Sequence, residues 1–140
     1  MKITTISLSL FALCSSPALA GLHNSTTVAV QPGSPVAIER CQSLNFEVYN
    51  GLLTHRVDFR NVTTDKTIVA VRFTFRALDA FGESEGPVIT GDDSGDTVSP
   101  GVLIKDKVQF ESAINPWTDP KTVECGVSRV KFSDGTTWAQ

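Results

Sequence analysis

Val69-Ala70-Val71-Arg72-Phe73-Thr74-Phe75-Arg76-Ala77 alternates large apolar side chains with small or polar ones. In an extended chain Val69, Val71, Phe73, Phe75 and Ala77 point one way; Ala70, Arg72, Thr74 and Arg76 point the other. Period two describes a strand with one face in a core and one in water. The same reading places Val57 and Phe59 inward against Arg56, Asp58 and Arg60. Val102, Ile104, Val108 and Phe110 form a further apolar row, interrupted by Asp106, with Lys105, Lys107 and Gln109 facing away. Val123, Cys125 and Val127 make a fourth row. Val130 and Phe132 are out of phase with it by one residue, so a bulge near Ser128-Arg129, or a change of facing sheet, is expected there.

Turn chemistry divides these runs. Asn50-Gly51 and Asp134-Gly135 are hairpin signals. Asn61 to Lys66 reads as a polar connection and Gly21 to Pro35 as a loose arm. Phe81 to Gly95 reads as the largest loop, with room for a short strand at Pro87–Thr90. No stretch keeps a helical period. Seven or eight short strands in one domain, residues 21–140, imply an all-β, immunoglobulin-like antiparallel two-sheet sandwich. A small closed barrel is the alternative. The expected core is Val57, Phe59, Val69, Val71, Phe73, Phe75, Val108, Phe110, Val127 and Phe132.

Residues 1–20 read as a cleaved secretory signal peptide. Lys2 is followed by an apolar run too short to span a bilayer, and Ala18-Leu19-Ala20 supplies the small-x-small cleavage site. Bulky Leu13 before Cys14 argues against a lipoprotein signal. Removal of the leader leaves Cys41 and Cys125, an even count that predicts one disulfide in a secreted or periplasmic protein. Closing the loop from residue 41 to residue 125 is worth about 4.5 kcal/mol of chain entropy.

The net charge is −3, which argues against a nucleic-acid reader built on phosphate neutralisation. Asp93-Ser94-Gly95 superficially matches protease motifs. Its flanking Asp92 and Asp96 place the carboxylates in solvent, where no shared proton or buried dyad forms. Asp92, Asp93 and Asp96 are instead candidate calcium ligands, although the EF-hand spacing fails: Thr97 stands where glycine is needed and Leu103 where the closing glutamate belongs. The plain alternative is a solvated acidic loop, the most mobile part of the domain. His55 reads as an ordinary surface or edge residue. Asn24-Ser25-Thr26 and Asn61-Val62-Thr63 are formal glycosylation sequons. Arg56, Arg60, Arg72 and Arg76 form a positive stripe if their two strands pair through the Thr63–Lys66 turn.

Residues Asn61 to Gly101 resemble the FxLYD type of bacterial immunoglobulin-like domain. The resemblance rests on Asn61-Val62-Thr63, the strand Val69 to Phe75, Phe75-Arg76-Ala77-Leu78-Asp79 followed by Phe81-Gly82, and Ser99-Pro100-Gly101 before Val108 and Phe110. Ala77 and Leu78 replace the family's Leu and Tyr. The resemblance implies a sandwich and an exported, non-catalytic accessory role without a cofactor, and carries no catalytic residue. The expected function is therefore a monomeric binding or structural module with a protein or cell-envelope partner. A secreted inhibitor or effector, and a calcium- or anionic-ligand-binding domain, are the alternatives.

Overall fold

A computed structural model describes residues 22–46, 52–112, 116–117 and 122–140. The expected signal peptide, residues 1–20 with Cys14, and the Asn50-Gly51 pair lie outside the described residues. Eight strands follow one another: β1 (Leu22–Val28), β2 (Val36–Phe46), β3 (Leu52–Asn61), β4 (Ile68–Leu78), β5 (Ser84–Asp93), β6 (Leu103–Ser112), β7 (Thr122–Phe132) and β8 (Thr137–Ala139). They make one curled sheet in the order β5-β4-β7-β1-β2-β3-β6, with β8 beside β7.

β1 is the corner of this sheet. Leu22 to Asn24 pair antiparallel with β2, and Ser25 to Val28 pair parallel with β7. The expectation of purely antiparallel pairing is thereby corrected to a mixed sheet, and the expected loose arm is in part this strand. Because β1 serves both neighbours, the sheet bends back so that its two ends stack. Phe59 of β3 meets Phe73 of β4 at 5.3 Å between ring centroids, and Phe110 of β6 meets Phe73 and Phe75 at 5.8 and 5.7 Å. Val57, Phe59, Val71, Phe73, Phe75, Val108, Val127 and Phe132 are buried between the ends and carry the hydrophobic stabilisation. The disulfide Cys41–Cys125 crosses this interior from β2 to β7, with a Cα–Cα distance of 6.5 Å.

Bulges set which side chains enter the core. On β7, Phe73 pairs with Val127 but Arg72 pairs with Arg129, so Ser128 is the extra residue. That slip lets Val127 and Val130 both face inward, as the phase change along the sequence requires. A second slip on β4 lies between Ile68 and Ala70. It turns Val69 half out of the core and buries Ile68 in its place, correcting the expected assignment. Phe110 is only partly buried, and Val102 lies outside β6 and is exposed.

Asp134-Gly135 does turn β7 into β8: Gly135 has φ +85° and its N–H donates to the Phe132 carbonyl at 3.0 Å, while Asp134 Oδ1 accepts from the Thr136 N–H. Between β2 and β3 the pairing runs to Phe46 opposite Leu52, and the hairpin expected at Asn50-Gly51 lies outside the described residues.

The expected loop from Phe81 to Gly95 is mostly strand β5, longer than the short strand allowed for at Pro87–Thr90, and an edge strand paired to β4 from Leu78↔Ser84 to Val71↔Asp93. Gly91 is the reason this weak β sequence fits: an added Cβ would stand 2.4 Å from Cγ and Cδ1 of Phe110. Gly91→Ala is therefore expected to destabilise by about 1–3 kcal/mol through overpacking. Urea unfolding of Gly91→Ala, Phe110→Ala and the double variant checks this. The double variant should be less destabilised than the sum of the singles; strict additivity would refute the contact.

Candidate functional site

The side of β4 that faces away from the core meets β5 on one side and β7 on the other. Along the β4–β7 ladder Arg76 stands opposite Glu124, Thr74 opposite Gly126, and Arg72 opposite Arg129. Arg76 and Glu124 form an ion pair. Arg72 is held from the other side by Asp92 of β5: Nε donates to Oδ1 and a terminal nitrogen to Oδ2, both at 2.6 Å. The hydrogen bond from Arg72 holds the Asp92 carboxyl below its usual range, helped by the charge of Arg129. A cleft of about 190 Å³ lies here, lined by Ala70, Val71, Arg72, Asp92, Ser94, Arg129 and Lys131.

A second groove, about 320 Å³, lies along the same ladder over Thr74, Gly126 and Ala29. Its end is built by Gln31, whose amide pairs with β7 as a strand residue would. Nε2 donates to the Val127 carbonyl at 2.7 Å and Oε1 accepts from the Val127 N–H at 2.8 Å. This continues the β1–β7 pairing past Val28 and leaves that stretch of β7 no free backbone edge.

The expected arginine stripe does not form. β3 pairs with β2 and β6, whereas β4 pairs with β5 and β7. The Thr63–Lys66 connection is thus a crossover between the two ends of the sheet, and Arg56 and Arg60 belong to the opposite end from Arg72 and Arg76. Arg60 pairs with Glu39 at 2.6 Å, and Arg56 donates to Gln109.

Nor do Asp92, Asp93 and Asp96 converge as calcium ligands. Asp92 is committed to Arg72. Burial raises the Asp93 carboxyl, the charge of Asp96 adds to the rise, and a backbone hydrogen bond from Gly95 opposes it. Among the described residues no group of three His, Cys, Asp or Glu side chains is placed to share a metal ion. The Arg72–Asp92 pair is exposed on both sides and adds little to stability. Replacing Asp92, Asp93 and Asp96 together by Asn should leave the melting temperature within a few degrees of the parent. Differential scanning calorimetry with and without millimolar calcium tests this. A calcium-dependent rise abolished by the triple substitution would establish a metal site.

His55 corrects the surface assignment most strongly. It is 0% exposed, lies on the core side of β3 with Leu53, Val57 and Phe59, and stacks on Phe75 at 4.0 Å with 4° between the ring planes. Trp117 covers it at 5.7 Å, and its indole N–H donates to the Pro87 carbonyl. Among the described residues neither imidazole nitrogen has a hydrogen-bond partner, and burial lowers the pKa to about 4. Such a ring is neutral near pH 7 and is not positioned to take a proton from a hydroxyl.

Asp58, expected in water, is buried. It forms an ion pair with Arg40 at 2.7 Å and accepts the backbone N–H of Asp106 at 2.9 Å. Asp106, at φ +56°, sits where three residues of β6 oppose Asp58 alone. The interruption in the β6 apolar row is therefore a bulge pinned by a buried carboxylate. Asn61 is also fully buried: Nδ2 donates to the carbonyls of Lys66 and Val98, both at 2.8 Å, and Oδ1 accepts from Thr63. A glycan on Asn61 is incompatible with this fold. Asn24 is half-buried and its Nδ2 donates to Ser43 Oγ at 3.1 Å.

Comparison with protein-family models, with curated proteins and with solved structures found no match.

Proposed function

We propose that this chain is an exported, non-catalytic β module of immunoglobulin-like sandwich type, released from its leader between Ala20 and Gly21, that acts by binding through its outer surface. The observation that carries this reading is the disulfide between Cys41 and Cys125, set in the middle of the core. A crosslink so placed fits an oxidising compartment. The stacking of the two ends of the sheet supports the sandwich. The sealing of His55 behind Phe75 and Trp117 supports a non-catalytic role, since it removes a general base from use. The similarity of residues 61–101 to the FxLYD type of domain points the same way.

Expression of the 140-residue chain in a bacterium, followed by fractionation, N-terminal sequencing and thiol mapping, tests export. The expected product begins at Gly21, lies outside the cytoplasm and has Cys41 linked to Cys125. Recovery of cytoplasmic protein that retains Met1 and carries free thiols would overturn the reading.

A further inference from the structure

We propose that the cleft between β4, β5 and β7 binds a tetrahedral oxyanion, a phosphate or sulfate group, through Arg72, Arg129 and Lys131. The inference rests on the reading of the chain as a binding module and names the ligand chemistry of one site on it.

The charge arrangement along the ladder carries the argument. Arg76 faces a carboxylate across the β4–β7 pair, as cross-strand neighbours commonly do, but Arg72 faces Arg129, and Lys131 follows two pairs further on, on the same face and opposite Ala70. Like charges directly opposite destabilise a sheet. One carboxylate, Asp92, offsets them, and both its oxygens are taken by the Arg72 guanidinium. The Arg129 and Lys131 side chains make no hydrogen bond or close ion pair with any described residue, although Arg129 lies near enough for its charge to act on Asp92. Three cations and one anion therefore surround a cleft of about 190 Å³, in a protein whose net charge is −3. Small Ala70 in the lining leaves room at the strand surface, and the Ser94 hydroxyl adds a neutral donor at the rim.

This donor set fits a compact anion with several oxygens. A guanidinium presents paired N–H groups to two oxygens of a phosphate or sulfate, and an ammonium takes a third as a point charge. A metal cation is repelled by the same three side chains.

Inorganic phosphate titrated into isotope-labelled protein at about pH 7, at constant ionic strength with chloride as the control anion, tests the site by amide chemical shifts. Saturable shifts at Arg72, Ser94, Arg129 and Lys131, with a dissociation constant on the order of millimolar, are expected. Arg129→Gln and Lys131→Gln should each weaken binding about tenfold, the loss of one charge-assisted contact. Asp92→Asn should strengthen it several-fold, because it removes the repelling carboxylate and releases Arg72. Non-saturating shifts spread equally over Arg56, Lys105 and Lys107, or weaker binding by Asp92→Asn, would overturn the proposal. Dextran sulfate and free sulfate distinguish the sources: tighter binding per sulfate by the polymer assigns the site to esters on a chain, and equal binding to the free ion. A protein that is exported and oxidised but silent to phosphate and sulfate would refute this site alone and leave the module reading in place.

Discussion

Replacing Cys41 and Cys125 together by alanine should lower the stability of the oxidised protein by about 4–5 kcal/mol. The bond closes a sequence separation of 84 residues, and the chain-entropy relation for a loop of that length gives about 4.5 kcal/mol at room temperature. Strands β2 and β7 are not hydrogen-bonded neighbours; β1 lies between them. The crosslink therefore ties the two wings of the curled sheet across their shared interior, where Cys41 is 8% and Cys125 0% exposed. Alanine at both sites also leaves a small cavity, which adds to the loss. Urea unfolding of the two forms measures the difference. The slope with denaturant should be steeper for the alanine variant, because its unfolded chain opens fully. A melting temperature lower by on the order of 10 °C or more accompanies the change. Equal unfolding midpoints for the oxidised and alanine forms would show that the link constrains nothing.

The disulfide was legible because reading residues 1–20 as a leader left Cys41 and Cys125 one way to pair. The strands of the core were legible for a similar reason. Phe73 and Phe75 in β4 and Val127 and Val130 in β7 are separated by residues that tolerate water, so the period of burial is written in the residue types. The phase change between Val127 and Val130 called for a bulge or a change of facing sheet, and the β4–β7 pairing takes the bulge, at Ser128. Connectivity is another matter. The polar stretch from Thr63 to Lys66 would serve a hairpin as well as a crossover, and it is a crossover; the arginine stripe failed on that point alone. β5 hid because Glu85, Gly86, Pro87 and Gly91 are poor strand formers. It pairs because β4 offers an open edge and Phe110 needs a position without a side chain, so tertiary context overrides propensity. The cationic cleft was illegible for the same reason, since Arg129 meets Arg72 only through the β4–β7 pairing. His55 was hidden by its residue type, although parity marked it: Leu53, His55, Val57 and Phe59 fall on one face at period two.

That buried ring makes stability depend on pH. In the unfolded chain His55 titrates near 6.5, and in the folded protein burial lowers its pKa to about 4. Above pH 6.5 the ring is neutral in both states and its contribution to stability is fully present. As the pH falls below 6.5 the unfolded chain takes up a proton that the folded protein refuses, so stability declines. The loss continues to about pH 4, where the folded form protonates too, and then levels off. At about 1.4 kcal/mol per pH unit the total is about 3 kcal/mol. The described neighbours of the ring supply no counter-charge: Phe75 of β4 and Trp117 pack on it, and Ser43 of β2 and Phe110 of β6 are its cross-strand partners. Asp92, whose pKa is lowered, acts at more acid pH; Asp93, whose pKa is raised, opposes the decline. Comparison with His55→Leu cancels both. Urea midpoints at several pH values between about 7 and 4 should converge less steeply for the variant, removing about 3 kcal/mol of pH dependence. The variant should also be at least as stable near neutrality, because it no longer buries two ring nitrogens without partners among the described residues. Parallel pH profiles for the two proteins would mean that His55 reaches water or a hydrogen-bond partner in the folded state, and the sealed core drawn around it would have to open.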